Sequence, residues 1–546
     1  MRNYKAIYDI WCKKVSDEAL LGELKEMSEK EISDCFYKDL EFGTGGLRGE
    51  LGAGTNNLNI YTIRKVSEGV ARYEAENNGK SVAIAYDSRI KSDLFAKESA
   101  CVFAAHGLKV YMTPALMPTP FLSFMTRYYH CDAGVMITAS HNPKQYNGYK
   151  VYGADGCQVT DNVANKITEK INAVDCFEVE PLDFEEAVAQ GKIVYTDEKI
   201  KEDYLKNVYA SGTAENAKGL KVTYSALNGT GIMLVPEALR HIGVEVKEVA
   251  EQCVPDGNFP TCPYPNPEKS EALSLGMAYA EKNGSDLLIA TDPDADRIGV
   301  VVKTKEGNVR LTGNETGILL CDFILSGWKK KVRPVVIKTI VTTKLIGKIC
   351  KKFGADMINV YTGFKYIGEQ IGLLEKKGEE ERFALGFEES YGYLTGTYVR
   401  DKDAVVAAVA VCEMAAELLK HGKTLADRLE EIYKEYGYVE HQTLSYRFEG
   451  SEGSIAKAKV LNGVREGRPE TIGGLKVEKM VDYLHDETGL QKSDVMRFDL
   501  EKEAELILRP SGTEPLIKAY ITACGDKESN KEIFNEITEY LNSIMN

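Results

Sequence analysis

Three times between residues 81 and 387 the chain spells an apolar strand, a helix, a strand, a helix and a third strand. The first run is SVAIAY (81–86), KSDLFAKESACVFAAHG (91–107), LKVYMT (108–113), PTPFLSFMTRYYH (118–130) and AGVMIT (133–138). The second is LKVTYSAL (220–227), a helix near Val235–Ile242, VEVKEVA (244–250), a helix near Glu271–Asn283 and DLLIATD (286–292). The third is VRPVVIKT (332–339), a helix near Thr342–Phe353, DMINVY (356–361), a helix near Tyr366–Lys377 and FALGF (383–387). Apolar strands alternating with amphipathic helices argue for α/β layers and against a sandwich. No fixed period of 20–50 residues is visible, but three units of about 110 residues suggest a duplicated architecture. Before them, Tyr4, Ile7, Tyr8 and Trp11 fall at helical spacing and predict an N-terminal helical arm. From about Val439 short strands and helices mix, ending in a helix near Asn530–Met545, which predicts a fourth, α+β domain. A length of 546 residues agrees, at roughly 150 residues per domain.

Charge and composition exclude several classes of function. Lys plus Arg number 68 and Asp plus Glu 83, a net charge of −15. That excludes a general nucleic-acid binder, whose affinity comes from a basic face, but leaves room for a phosphorylated small molecule held by local positive charge. The longest apolar run, Ala404 to Cys412, is stopped by Glu413 well short of the roughly 18 residues of a membrane span. The N-terminus carries charge throughout and has no apolar signal-peptide core. The 12 cysteines are scattered without a CxxC pair, as buried thiols of a reducing compartment would be. The expectation is a soluble cytoplasmic protein with no nucleic-acid or membrane partner.

Four segments carry candidate chemistry. In TDPDADR (291–297), Asp292, Asp294 and Asp296 alternate at a strand end. An extended backbone would project all three to one side, where they suit a hard cation. Arg297 follows as the only adjacent cation in the sequence and a possible phosphate contact. Without metal the like charges should repel, so Asp294→Asn is expected to relieve charge and raise thermal stability. An EF-hand is excluded, because Arg297 and Lys303 stand where that loop needs Gly and Glu. An Asp-rich turn satisfying its own backbone is the alternative. In TASHNP (138–143), Ser140 leaves a strand end with His141 beside it, and the downstream NGYK can return Lys150 toward it. No GxSxG elbow is present, and a Ser-His pair in a loop, taken alone, is more often a turn or cap than a nucleophile. RPSGTEP (509–515) offers Arg509, Ser511, Gly512 and Thr513 as a phosphate cradle, or a plain Pro-Gly turn. GFEESYG (386–392) offers Glu388 and Ser390 to sugar hydroxyls, or a helix-start capping pattern. The early FGTGGLRG (42–49) is no dinucleotide fingerprint, and Arg48 on a flexible backbone is a further phosphate candidate.

Taken in order, TASHNP, DPDADR, GFEES and RPSGTEP resemble the α-D-phosphohexomutase superfamily from about Phe42 to Thr522. TGFKYIGE (362–369) and VRDKD (399–403) resemble its phosphoglucomutase and phosphopentomutase-like branch. The resemblance implies four domains around a central cleft: 1–205 with the phosphoserine loop, 206–315 with the magnesium loop, 316–440 with the sugar-recognition loop and 441–546 with the phosphate-binding loop. It implies that Ser140 is the phosphorylated nucleophile and that Asp292, Asp294 and Asp296 bind Mg2+ with a phosphoserine oxygen. Glu388 and Ser390 would then bind sugar hydroxyls, and Arg509, Ser511, Gly512 and Thr513 the non-reacting phosphate. His141, Lys150, Lys365, Arg400 and Lys402 match basic positions near the reacting phosphoryl group, with Arg48 and Arg297 as further phosphate contacts. Some bacterial relatives have His two residues beyond the Ser of the sugar loop; here Gly392 stands there, so acid–base duty falls to Lys402 and His141. The implied activity is interconversion of glucose 1-phosphate and glucose 6-phosphate, primed by glucose 1,6-bisphosphate. Mannose and pentose phosphates remain open as substrates. A serine-dependent sugar phosphatase is the alternative of another class, and it would need no second phosphate cradle.

Overall fold

A computed structural model of the chain describes residues 3–43, 45–212, 216–448, 450–511 and 516–545. It falls into two compact bodies: Met1–Lys338 with Ala355–Ile358 and Gly363–Ala426, and Thr339–Gly354 with Asn359–Thr362 and Asp427–Asn546.

The first sheet holds β1 (Gly46–Glu50), β2 (Ser81–Tyr86), β3 (Lys109–Met112), β4 (Ala133–Ile137), β5 (Tyr146–Gly153) and β6 (Ile193–Tyr195), in the order β1-β5-β4-β2-β3-β6. The second holds β7 (Lys221–Ser225), β8 (Glu245–Glu248), β9 (Leu287–Thr291), β10 (Ile298–Thr304) and β11 (Gly307–Leu311), in the order β11-β10-β9-β7-β8. The third holds β12 (Val335–Thr339), β13 (Asp356–Val360), β14 (Phe383–Glu388) and β15 (Gly392–Leu394), in the order β13-β12-β14-β15. Every predicted strand of the three units is present. Setting aside the added edge strands, each sheet repeats one unit. Its first strand lies between the second and third, and the third turns back on an antiparallel fourth, as β4–β5, β9–β10 and β14–β15 do. The duplication read from the sequence is thus real, but the sheets are mixed because each unit ends in a return strand.

These return strands set the candidate loops. TASHNP lies in the β4–β5 connection, where Ile137 faces Tyr149. The Asp-rich segment joins β9 to β10, where Thr291 faces Ile298. The sugar-loop segment is the three-residue tip between Glu388 and Gly392. No helix starts there, so the capping alternative falls. Arg48 sits inside β1, opposite Gly148, and its backbone belongs to the sheet, contrary to the flexible glycine loop expected.

The N-terminal segment forms three helices (Tyr4–Lys14, Glu18–Glu26 and Glu29–Phe36), each with an Asn, Asp or Ser side chain capping its first turn. Trp11, Leu20, Leu24 and Phe36 bury against Tyr61, so this segment is a packed subdomain and not a projecting arm. Helix Ala404–Lys420 is buried continuously from Ala404 to Ala416. A helix apolar all round belongs in a core, which accounts for its apolar run. No helix among the described residues is long and apolar enough to cross a membrane. The cysteines are free thiols, most of them buried.

The second body carries an antiparallel sheet of β16 (Val439–Arg447), β17 (Thr471–Ile472), β18 (Leu475–Asp482), β19 (Met496–Leu500), β20 (Glu505–Pro510) and β21 (Leu516–Cys524), in the order β16-β21-β20-β19-β18-β17. Helix Lys527–Met545 lays Ile533, Ile537, Leu541 and Met545 on the same core. This is the α+β domain predicted from the tail.

Candidate active site

The connection after β9 is a turn, not extended backbone. The Ala295 N–H donates to the Asp292 carbonyl, and Ala295 is left-handed at φ 49°. The three carboxylates converge because the chain curls around them, not because alternate residues of a strand share a face. One oxygen from each of Asp292, Asp294 and Asp296 lies within 4.8 Å of the others, and all three residues are buried.

Lysines from two other elements compensate that charge. Lys150 Nζ, on β5, lies 2.8 Å from Asp294 Oδ2 and 3.5 Å from Asp296 Oδ2. Lys402 Nζ lies 3.0 Å from Asp296 Oδ2 and 3.2 Å from Asp401 Oδ1. Arg297, expected to be the only adjacent cation, pairs with Glu268 at 2.8 Å and stands 3.8 Å from Asp296 and 4.0 Å from Asp292. Thr119 caps Asp294 twice, through N–H to its carbonyl and through Oγ1 to Oδ2, both at 2.8 Å. The N–H of Ala404, at the start of the buried helix, donates to the Ala295 carbonyl.

The carboxylates therefore differ. Burial and repulsion from Asp294 and Asp296 push Asp292 well above the ordinary range. Burial also works against Asp294, but Lys150 and Thr119 outweigh it and hold the group below its usual value. Asp296 ends below it too, because Lys402 and Lys150 overcome burial and the field of Asp294. Burial would lower both lysines. Asp294 and Asp296 instead raise Lys150, and Asp296, Asp401 and Glu388 raise Lys402.

Ser140 meets this cluster from the β4–β5 connection. Its Oγ donates to Asp292 Oδ2 at 2.9 Å and lies 3.1 Å from His141 Nδ1. Its backbone is left-handed at φ 52°, an uncommon conformation for a residue with a Cβ, and its N–H donates to Thr138 Oγ1 at 2.7 Å. Burial, together with the guanidinium groups of Arg297 and Arg48, holds the His141 imidazole well below its usual value.

On the sugar-loop hairpin, Glu388 is buried and accepts the Gly363 N–H at 2.8 Å; burial raises its carboxyl, with Lys402 opposing. Ser390 sits half-buried on the tip. A Cβ at Gly392 would lie 2.0 Å from Lys402 Cδ. The space a histidine would need there is filled by the Lys402 side chain.

Not every expected residue joins the cluster. Arg400 is buried, but its guanidinium pairs with Glu375 and bonds the carbonyls of Thr397 and Val399, none of them part of the carboxylate site. Lys365 pairs with Asp161 at 2.6 Å. Arg48 is exposed and donates to Asn142 Oδ1 at 3.3 Å. Arg509, on β20 opposite Lys518, and Ser511 belong to the second body, while Gly512 and Thr513 lie outside the described residues. Thr119 and Glu268 gave no sequence signal, since each reaches the site only through tertiary packing, whereas Thr138 belongs to TASHNP and bonds Ser140 locally.

The residues fit a hard divalent cation. Three buried carboxylates supply oxygen ligands, and Asp294 Oδ1 and Asp296 Oδ1 are buried without a hydrogen-bond partner among the described residues. A buried serine hydroxyl bonded to one carboxylate of this cluster, with an imidazole beside it and two ammonium groups on the neighbouring carboxylates, brings together a nucleophile, a proton carrier and positive charge.

Comparison with known proteins agrees. Models of the phosphoglucomutase/phosphomannomutase family match four successive stretches: alpha/beta/alpha domain I over residues 39–176, domain II over 202–307, domain III over 312–436 and the C-terminal domain over 473–540. A phosphoglucomutase of Staphylococcus aureus (strain MRSA252) is 34% identical over 554 aligned residues, covering 98% of each chain. The exocytosis-sensitive phosphoprotein parafusin (phosphoglucomutase) of Paramecium shares the fold with a TM-score of 0.68 at 16% identity, over 93% of this chain and 95% of that one. So does the Aspergillus fumigatus N-acetylphosphoglucosamine mutase solved in complex with GlcNAc-6P and magnesium, with a TM-score of 0.54 at 15% identity, over 93% and 96%. With all four stretches matched in order and a relative aligned along almost its whole length, the chain belongs to the phosphoglucomutase/phosphomannomutase family, whose members are intramolecular phosphotransferases.

Proposed function

We propose that this chain is a phosphoglucomutase that interconverts glucose 1-phosphate and glucose 6-phosphate through a phosphorylated Ser140. The observation that carries the reading is Ser140 Oγ, 2.9 Å from Asp292 in a buried triad of carboxylates. The end-to-end relative of Staphylococcus aureus supports the choice of glucose.

In the forward half-reaction a sugar hydroxyl attacks the phosphorus of phospho-Ser140. A new O–P bond forms, the Oγ–P bond breaks, the hydroxyl gives up its proton and Oγ takes one. His141 Nδ1, 3.1 Å from Oγ, is placed to pass the proton at the serine oxygen. Lys402, kept in its ammonium form by Asp296, Asp401 and Glu388, stands between the carboxylates and the sugar loop and serves the attacking oxygen as a positive charge, not as a base. Lys150 and Arg297 offset charge on the phosphoryl oxygens, and Glu388 and Ser390 orient sugar hydroxyls. Asp292, Asp294 and Asp296 would hold Mg2+, which when bound polarises the transferring phosphoryl group; the magnesium in the Aspergillus relative supports that choice. The resulting 1,6-bisphosphate turns over and returns its other phosphate to Ser140. Arg509, Ser511, Gly512 and Thr513 are proposed to hold the spectator phosphate, Lys365 to lie near the reacting phosphoryl group, and Arg48 to be a further phosphate contact. Arg400 stays in this assignment only as a support, given its bonds to Glu375.

The test uses purified protein with glucose 1-phosphate, catalytic glucose 1,6-bisphosphate and magnesium. Expected are glucose 6-phosphate without orthophosphate, one phosphate on the Ser140 peptide by mass spectrometry, and a Ser140→Ala variant slower by at least about 10⁴-fold. Net orthophosphate release would mean a phosphatase. A higher kcat/KM for mannose 1-phosphate or ribose 1-phosphate would move the substrate.

A further inference from the structure

We propose that Arg89 is the positioning residue of this reaction: a single buried guanidinium grips the backbone of the serine loop and so aims Ser140 Oγ at the carboxylate cluster. The proposal rests on the reading of Ser140 as nucleophile. Arg89 sits after β2, at the end of YDSR (86–89), and its side chain is fully buried. One terminal nitrogen donates to the carbonyls of Ser140 and Asn142, and the other donates to those of Pro143 and Tyr146 at 2.9 Å. Four carbonyls of one loop thus converge on one cation.

That arrangement needs arginine. Its planar fork presents five N–H donors in fixed directions, whereas a lysine ammonium has three from a single point. It also explains how Ser140 persists at φ 52°, since a left-handed residue with a Cβ is kept only where its surroundings over-determine it. The clamp is itself held. Asp87 Oδ1 accepts the N–H of Arg89 and the hydroxyl of Ser92, and Asp87 Oδ2 lies 3.5 Å from Arg89 Nε. From the loop side, the Asn147 carboxamide donates back to the Ile90 carbonyl and to Ser92 Oγ.

A brace comes from the second sheet's unit. Phe259, nearly buried, places its ring 5.1 Å from the Arg89 guanidinium. Its own φ of 47° is unusual for so bulky a residue. Gly257 lets the same loop close on the strand end, because a Cβ there would stand 2.5 Å from the Ile90 nitrogen. The unit that carries the three aspartates thereby also presses on the residue that aims the serine.

The experiment measures kcat and KM for glucose 1-phosphate in Arg89→Lys, Arg89→Met and Phe259→Leu, with hydrogen exchange of the 138–148 peptide in each. A loop misplaced by about 1 Å costs on the order of 100-fold in rate. Expected are a kcat loss of about that size in Arg89→Met, a smaller loss in Arg89→Lys, KM within about twofold, and faster exchange confined to that peptide. Phe259→Leu, which keeps every hydrogen bond, should show a weaker version of the same pattern and decides the matter if the Arg89 variants do not fold. Wild-type kcat in Arg89→Lys, or a loss carried by KM alone, overturns the proposal. A wild-type protein without turnover or Ser140 phosphate defeats the mutase reading instead. Exchange then decides on Arg89 by itself, because an unchanged 138–148 peptide in Arg89→Lys means that the loop is not clamped there.

Discussion

Charge at single residues is decided by what packs against them. The spacing of Asp292, Asp294 and Asp296 made a carboxylate cluster legible, but the expectation that Asp294→Asn would relieve repulsion fails on the structure. Asp294 is the best compensated of the three, bonded to Lys150 and doubly to Thr119. Neutralising it leaves the Lys150 ammonium buried with Asp296 at 3.5 Å as its remaining carboxylate within reach. Breaking such a pair costs about 3 kcal/mol. The variant should therefore melt lower than wild type in calorimetry without metal and lose mutase rate by about 100-fold; a higher melting temperature would restore the repulsion picture. Glu74, far from this chemistry in helix Ile60–Glu76, was not legible at all. Burial and the neighbouring Asp132 raise its carboxyl to about 7. The folded state thus keeps a proton that the unfolded chain releases near 4.5, so its contribution is full below that pH and is lost as pH rises through 7. Glu74→Gln should gain about 2–3 kcal/mol more over wild type at pH 8 than at pH 5, measured by urea unfolding. An equal difference at both pH values would show that Glu74 does not titrate this way.

At the scale of elements, strands and helices followed from apolar runs, while their pairing did not. YNGYKVYG (146–153) gave Lys150 as a residue that could return toward Ser140, yet the return is made by a whole strand, β5, hydrogen-bonded to β4 and β1. IGVVVKT (298–304) likewise carries no local sign of its pairing, although it closes the aspartate loop as β10. Register between antiparallel strands depends on partners distant in sequence, which local periodicity does not contain. Arg89 and Phe259 escaped for the same reason. Helix Ala404–Lys420 shows how an element supports the site. Asp403 caps it, accepting the N–H groups of Val405 at 2.8 Å and Val406 at 3.2 Å together with the hydroxyls of Tyr204 and Tyr398. Next to it stands Lys402, whose ammonium reaches Asp296. Asp403→Ala should cost about 2–4 kcal/mol, from the lost cap and two orphaned phenols. It should also lower kcat through Lys402 while leaving phosphorylation of Ser140 by the bisphosphate detectable by mass spectrometry. A variant that loses stability but keeps full kcat would show that the cap does not hold Lys402.

For the whole molecule, the repeated sheet unit explains why the candidate loops lie where they do. In each copy the third strand meets its return strand at a short connection, and the serine, aspartate and sugar-loop segments occupy that same place in three successive copies. Their order along the chain was therefore readable before any contact was known, because duplication repeats the position and divergence changes only the residues. The chain as a whole is acidic at −15, but the cluster built from these loops carries its own cations: Lys150 and Lys402 hold Asp294 and Asp296, and Arg297 stands near Asp292 and Asp296 while pairing with Glu268. A divalent cation entering alone would have to displace Lys150 and Lys402 from the carboxylate oxygens they hold, which costs free energy in a buried site. A phosphoryl group on Ser140 would bring about two negative charges and give the displaced ammonium groups new partners. Metal affinity and phosphorylation of Ser140 should therefore be linked, each strengthening the other by the same factor. Because binding to the folded state raises its stability in proportion to the logarithm of affinity, the linkage is visible in unfolding of the whole protein. Magnesium at about 100 times its dissociation constant should add about 2.7 kcal/mol to the phosphoprotein and raise its melting temperature by a few degrees. The same concentration should move Ser140→Ala and the dephosphorylated wild type far less, with added sodium chloride at equal ionic strength as the control for screening of the acidic surface. Equal magnesium shifts in the phosphorylated and dephosphorylated proteins would mean that the lysines yield their places freely, and that the balance of charge in the cluster does not govern its occupancy.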